Sequence, residues 1–253
     1  MLIVVFGGGL GWGLRVLESL FVTHKPLLIL GSNSPRRRQL LALTRLNFSV
    51  SAADVDESQQ SNELPTDYVL RLAETKARAI PADADQIVLA ADTAVVDGVD
   101  ILGKPKDSAD AIAMLKRLRG HTHQVYSGIA LLRLRDGLLL SDLCITNVPM
   151  RNYSDEEIKA YVQTGDPLDK AGAYGIQHPK FQPVEHLSGC HASVMGLPVC
   201  HVILLLRKMD IQPNTDYFLS CETLLEYQCP VSSAILNNVI ASPEGAKQSP
   251  VKH

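Results

Sequence analysis

"QVYSGIALLRLRDGLLLSDLCITNVPM", Gln124 to Met150, is two apolar-rich runs joined at Asp136-Gly137. An Asp-Gly pair between such runs signals a hairpin, because glycine takes the positive φ that a tight turn needs. The two runs are therefore read as antiparallel strands. Around them, strand-like and helix-like segments alternate. Upstream, Leu27 to Leu30 reads as a buried strand and Pro35 to about Leu46 as a helix, with Ser34 as N-cap and Pro35 in the first turn. "FSVSAADVDES" runs from a short strand into an acidic loop. "PTDYVLRLAETKARAI" is a helix capped near Thr66 or Asp67, and "QIVLAADTAVV" a buried strand. "GVDILGKP" is a turn and short strand, and "SADAIAMLKRLRG" a helix closed by Gly120. Downstream, "SDEEIKAYVQTG" opens with a capping box of Ser154 and Glu157 and closes at Gly165. "LPVCHVILLLRKM" is a last apolar helix or strand. Alternation with a hairpin in its middle gives an α/β domain, with a mixed sheet flanked by helices rather than a purely parallel one.

The chain has 253 residues, 46% of them hydrophobic and 20% charged, enough for one large domain or two small ones and for a real core. Its net charge of −3 excludes a surface that is basic throughout, so no nucleic-acid partner is expected and any basic site must be local. The five cysteines show no C-x-x-C spacing, which suits reduced thiols in a cytoplasmic protein. The N-terminal apolar run has no basic residue before it and meets Arg15 short of the ~18 residues of a spanning helix. Neither a signal peptide nor a membrane partner is expected from it. Its glycines fit no G-x-G-x-x-G register. Residues 1–25 are read as an extension of unknown role. The pattern weakens after about Gln212, and "SPEGAKQSPVKH" is expected to be disordered.

Several charged residues sit where the pattern is apolar. Asp92 interrupts the buried run Ile87 to Val96, and a buried carboxylate needs a partner or a metal. Lys76 falls on the apolar stripe of its helix, with Val69, Leu72, Ala73, Ala79 and Ile80, where a snorkelling lysine is the bland alternative. Arg36, Arg37 and Arg38 fill the first turn of a helix, the positive end of its dipole. Three cations there, with Ser32 and Ser34 beside free N–H groups, favour a phosphate. "GVDILGKP" imitates a P-loop, but Pro105 stands where Ser or Thr should bind Mg²⁺; Lys104 is kept as a turn lysine able to reach a phosphate. Asp54, Asp56 and Glu57 form an acidic cluster that is either a solvated loop or a carboxylate set for Mg²⁺. His121 and His123 are read as structural. Cations on a polyphosphate and carboxylates on Mg²⁺ with an oriented water point to metal-assisted phosphoanhydride hydrolysis.

"SNSPRRRQLL", "VDES", "RLAETKA", "AADT", "LGKP", "GHTHQVYSG", "PLDKAGAYGIQ" and "MGLP" occur in the order in which the Maf proteins carry such motifs. The resemblance covers roughly Pro26 to Met209. It implies residues 26–212 as a Maf-like domain and 213–253 as a C-terminal extension, with an elongated α/β fold similar to the inosine triphosphate pyrophosphatases. It further implies a nucleoside triphosphate pyrophosphatase, dependent on Mg²⁺ or Mn²⁺ and expected to be a homodimer. By motif, Asp92 resembles the proton acceptor and, with Glu57, a metal ligand. Arg37, Glu57, Lys76 and Lys104 match the phosphate and metal surroundings. Ser32, Ser34 and Lys170 match nucleotide-binding positions. Arg36, Thr93 and Gln177 lie at specificity positions, in the combination found in the dTTP/UTP branch. The 7-methyl-GTP branch has a tryptophan after the proline, Asp-Gln for Asp-Thr and a glutamate near 177. The alternatives are a pyrophosphatase for modified or deaminated nucleotides, or a nucleotide-binding regulator of septum formation.

Overall fold

The computed structural model describes residues 27–213 and 217–237. The expected extension 1–25 and the tail expected to be disordered lie outside them. Six strands form one mixed sheet: β1 Leu28–Leu30, β2 Phe48–Val50, β3 Ile87–Asp97, β4 Asp100–Leu102, β5 Thr122–Arg133 and β6 Leu138–Pro149. The order is β2-β1-β3-β5-β6, with β4 paired to β3. β1 is parallel to β2 and β3, and the β3, β4, β5 and β6 pairings are antiparallel. The hairpin turns at Gly137, with φ 68°, as its sequence requires. The helices are α1 Pro35–Ala42, α2 Pro65–Ala79, α3 Ser108–Leu118, α4 Asp155–Gln163, α5 His191–Val194, α6 Val199–Lys208, α7 Tyr217–Leu225 and α8 Ser232–Asn237.

One property of β3 positions the site. β5 runs along one edge of β3 from Ile87 to Val96. The other edge is shared: β1 takes Ile87 to Leu89 and β4 takes Val95 to Asp97. Between them the strand pairs on one side alone. Asp92 and Thr93 lie in that gap, where the chain switches from parallel to antiparallel neighbours and a crevice must open.

The strand's alternation sorts its side chains onto two faces. Val88 and Ala90 pack with Ile29, Ala73, Ala77 and Ile80 under α2, and Ala94 and Val96 continue that row with Val69. Ile87, Leu89 and Ala91 face α1 and α6, and Val95 joins a separate cluster with α3 and α4. Asp92 breaks the first row and Thr93 the second, so a polar belt crosses the sheet at one level.

Some expectations are corrected. α1 stops at Ala42 rather than near Leu46, because Thr44 Oγ1 donates to Leu41 O (2.8 Å) and Arg45 turns to φ 52°. α2 is capped by Leu64 without a side-chain bond, and Thr66 and Asp67 lie inside its first turn. Its buried stripe runs through Ala77, not Ala79. The capping box of Ser154 and Glu157 is present. "LPVCHVILLLRKM" is a helix, and it is not the last: α7 and α8 follow where the sequence pattern weakens. Cys221, Leu224, Leu225, Val231 and Leu236 place this segment against the core around α6.

Candidate functional site

A cleft of about 780 Å³ opens at the gap in β3, lined from the β1–α1 loop, α1, the loop after β2, α2, β3, the β4–α3 turn and the loops 166–179 and 194–196. Every residue singled out from the motifs lines it except Arg38, Asp54 and Asp56: Ser32, Ser34, Arg36, Arg37, Glu57, Lys76, Asp92, Thr93, Lys104, Lys170 and Gln177. Asp56 instead accepts from the Ser58 N–H and Oγ at 2.9 and 2.6 Å in an exposed turn, so of the acidic cluster Glu57 alone reaches the cleft.

On the α2 face, Asp92 and Lys76 answer each other. Both are buried, at 7% and 9% exposure, and Lys76 Nζ donates to Asp92 Oδ1 at 2.6 Å. Glu57 Oε1 approaches the same nitrogen at 2.7 Å from a side chain more than half exposed. Neither charge would tolerate burial alone. Tyr68 Oη donates to the Glu57 carbonyl at 2.9 Å, which fixes the loop that brings Glu57 in. Burial, with the Asp92 and Glu57 charges nearby, raises the Tyr68 pKa to about 12, so it stays a donor.

α2 can sit this low because of Gly128, which pairs with Asp92 across β3 and β5. A Cβ there would lie 2.5 Å from Val69 O and 2.7 Å from Val69 C, both backbone of α2. The missing side chain is what lets Lys76 reach Asp92.

On the opposite face, Arg37 is anchored by three donors. Nε reaches Gly196 O (2.9 Å), Nη2 reaches Thr93 Oγ1 (3.2 Å) and Nη1 reaches Ser32 Oγ (3.4 Å). Thr93 Oγ1 also lies 3.0 Å from Ser127 Oγ, which donates to Ser193 O at 2.9 Å. Burial lowers the Arg37 pKa and the Asp92 charge acts against it; a guanidinium stays cationic in such surroundings. Ser34 caps α1, its hydroxyl accepting from the Arg37 N–H at 3.4 Å. Thus Arg36 and Arg37 line the cleft and Arg38 points elsewhere on the surface. Thr93 braces Arg37, so its hydroxyl is already engaged.

Lys170 is held by Asp166 O (2.6 Å), Asp166 Oδ1 (2.9 Å) and Asp169 Oδ1 (2.7 Å), an acceptor for each ammonium hydrogen. It stiffens the loop that carries Gln177. Tyr161 adds to this, donating to Asp166 Oδ2 (2.7 Å) and accepting from the Gly175 N–H (3.0 Å). Gln177 and Lys104 are exposed at the rim. Of the histidines, His123 is buried against Tyr174 Oη (2.8 Å) and His121 pairs with Asp97 (3.1 Å).

Sequence reasoning missed Ser127, Gly196, Asp166 and Tyr161 as supports. Ser127 had a signal, being a hydroxyl in the apolar run of β5 one residue before Gly128. Gly196 stood in the quoted "MGLP", but nothing tied it to Arg37, which lies 159 positions away. As for a metal, among the described residues no three His, Cys, Asp or Glu side chains converge. Two carboxylates do converge, Asp92 and Glu57 on one nitrogen. That donor set fits Mg²⁺, which takes one or two carboxylates plus substrate phosphates and water.

The chain has relatives in sequence. The model of the Maf-like protein family matches residues 27–209. A protein named dTTP/UTP pyrophosphatase from Hahella chejuensis is 45% identical over 193 residues, 75% of this chain and 95% of its own. A protein of the same name from Dehalococcoides mccartyi is 41% identical over 193 residues, 76% of this chain and 86% of its own. One from Geobacter sulfurreducens is 44% identical over 188 residues, 74% of this chain and 98% of its own. Among solved structures, the Ham1 protein of Staphylococcus aureus aligns with 79% of this chain and 97% of its own at 13% identity and a TM-score of 0.39. A match spanning both faces of the polar belt and most of each relative leaves one conclusion: the chain belongs to the Maf-like protein family.

Proposed function

We propose that this chain hydrolyses nucleoside triphosphates, dTTP and UTP foremost, to the nucleoside monophosphate and pyrophosphate. The observation that carries the reading is the Glu57–Lys76–Asp92 cluster at the open edge of β3, facing the arginines of α1 across one cleft. The names of the relatives supply the substrate class. Arg36, Arg37 and Lys104 provide positive charge for the triphosphate, and the start of α1 adds its dipole. Asp92 is the general base. Lys76 holds its Oδ1, which leaves Oδ2 to accept a proton from water. The water oxygen bonds to the α-phosphorus, the bond from that phosphorus to the bridging oxygen breaks, and pyrophosphate leaves with the bond's electrons. Asp92 and Glu57 are the residues to hold Mg²⁺ or Mn²⁺, which when bound screens the phosphate charge and withdraws electrons from phosphorus.

Gln177 offers a donor and an acceptor to the O4 and N3–H edge of uracil or thymine. Cytosine reverses that edge. An unpaired polar group in a site built for pairing lowers affinity by about 1–3 kcal/mol, so dTTP and UTP are turned over at least about tenfold better than CTP by kcat/KM. ATP and GTP follow below them. Gln177→Glu removes the donor and abolishes that preference. Equal rates on all five nucleotides, or a purine preference, overturn the substrate assignment without touching the hydrolysis. The same reading includes a homodimer, checked by sedimentation, and a cytoplasmic location. Among the described residues no helix is long and apolar enough to cross a membrane.

A further inference from the structure

The sequence shows the five cysteines scattered, but the fold gathers four of them. Cys190, Cys200, Cys221 and Cys229 line one small cavity of about 20 Å³ between α5, α6 and α7. Two of them sit on segments tied to each other by hydrogen bonds. Tyr227 shares its O–H between the carbonyls of Leu187 and Gly189, at 3.0 and 2.8 Å. That bond sets the residue two before Cys229 beside the residue before Cys190. Cys229 is then fixed by its own backbone: its N–H donates to Glu222 Oε1 (2.9 Å), and Ser232 Oγ donates to its carbonyl (3.0 Å). Cys190 caps α5, its sulfur accepting from the Ser193 N–H at 3.4 Å. Both side chains line that one cavity.

We propose that Cys190 and Cys229 are a disulfide-forming pair, oxidised by a peroxide, whose bridge fastens the segment bearing α7 and α8 to the N-terminus of α5. The division of labour follows from burial. Cys229 is half-buried and Cys190 buried behind it. The Cys190 contact, against burial, brings the Cys229 thiol down to about 6, while Cys144, Cys229 and burial together hold Cys190 as a thiol. Cys229 is therefore the thiolate that meets the oxidant. Its sulfur bonds to one peroxide oxygen, the O–O bond breaks, and an alkoxide or hydroxide leaves. Cys190 then attacks that sulfur: the S–S bond forms, the S–O bond breaks, and water departs with the Cys190 proton. Two electrons pass from the two sulfurs to the peroxide, which ends as water and an alcohol, or as two waters. Cys144 is the less suitable partner: it is buried and does not line that cavity.

Segment 217–237 lies beyond the stretch the family model matches, so the bridge couples a segment outside that match to the matched domain. α5 leads directly to Gly196, whose carbonyl anchors Arg37. The test treats the full chain with a few molar equivalents of hydrogen peroxide. A non-reducing digest then yields one peptide pair, joined through Cys190 and Cys229 and lighter by two hydrogens. The bridge closes a loop of roughly 40 residues, so the melting temperature rises by about 5–10 °C and dithiothreitol reverses it. Cys229→Ser abolishes both effects and Cys200→Ser keeps both. A bridge through another pair, oxidation of Cys229 to sulfinate without a bridge, or an equal rise in Cys229→Ser overturns the proposal.

Discussion

Asp92→Asn lowers kcat on dTTP by about 10²–10⁴, the usual weight of a general base, while the melting temperature stays within a few degrees of the parent. The substitution keeps shape and an acceptor oxygen. Lys76 retains one hydrogen-bond partner at the site and keeps Glu57 as counter-ion at 2.7 Å. What is lost is the carboxylate's capacity to take a proton. The loss therefore falls on kcat more than on KM, because the proposed phosphate contacts of Arg36, Arg37 and Lys104 are left in place. Steady-state release of pyrophosphate, with thermal melts of both proteins, reads the result. Turnover within a few-fold of the parent would show that another group deprotonates the water.

Gly128→Ala combines a fold defect with a catalytic one. The new Cβ meets α2 backbone at 2.5 Å, and backbone cannot rotate away as a side-chain tip does. Forcing extra volume into a packed layer costs about 1–3 kcal/mol, a fall in melting temperature of roughly 3–10 °C for a domain this size. The helix relieves the clash by rising, and Lys76 rises with it, away from Asp92. A displacement of about 1 Å in a positioned group can lower the rate by about 10²-fold. A melt and a kcat measurement on the same preparation should fall together. If the melt falls and kcat at low temperature is preserved, the close approach of α2 serves packing alone.

The signals that proved legible in the sequence are the short-range ones. Pro35 after Ser34, the Asp-Gly of the hairpin and the Ser154–Glu157 box each act within four residues, and each element begins or turns where they place it. Charge on an apolar pattern was equally telling, since Asp92 and Lys76 were separately anomalous and the fold sets them 2.6 Å apart. The pairing itself was not legible, because periodicity names the buried face of an element and not what lies across from it. The same gap hid Gly196 behind Arg37 and Tyr227 against Gly189. α7 was missed for a related reason: in "YFLSCETLL" the apolar residues are not gathered on one helical face, so it shows no stripe to contrast with a polar side. The split edge of β3 needs the lengths of three strands at once, which no window of sequence holds.

Arg37 has a consequence in time as well as in space. A free arginine fans through many rotamers, and confining it forfeits on the order of 2 kcal/mol of side-chain entropy. In most anion sites that forfeit falls at the moment of capture and weakens it. Here three of the five guanidinium N–H groups are fastened to Gly196, Thr93 and Ser32 before any guest arrives. The confinement is completed when the chain folds. On the proposed function, an arriving phosphate meets a fixed charge with two donors still open, and its affinity is not reduced by stilling a moving arm.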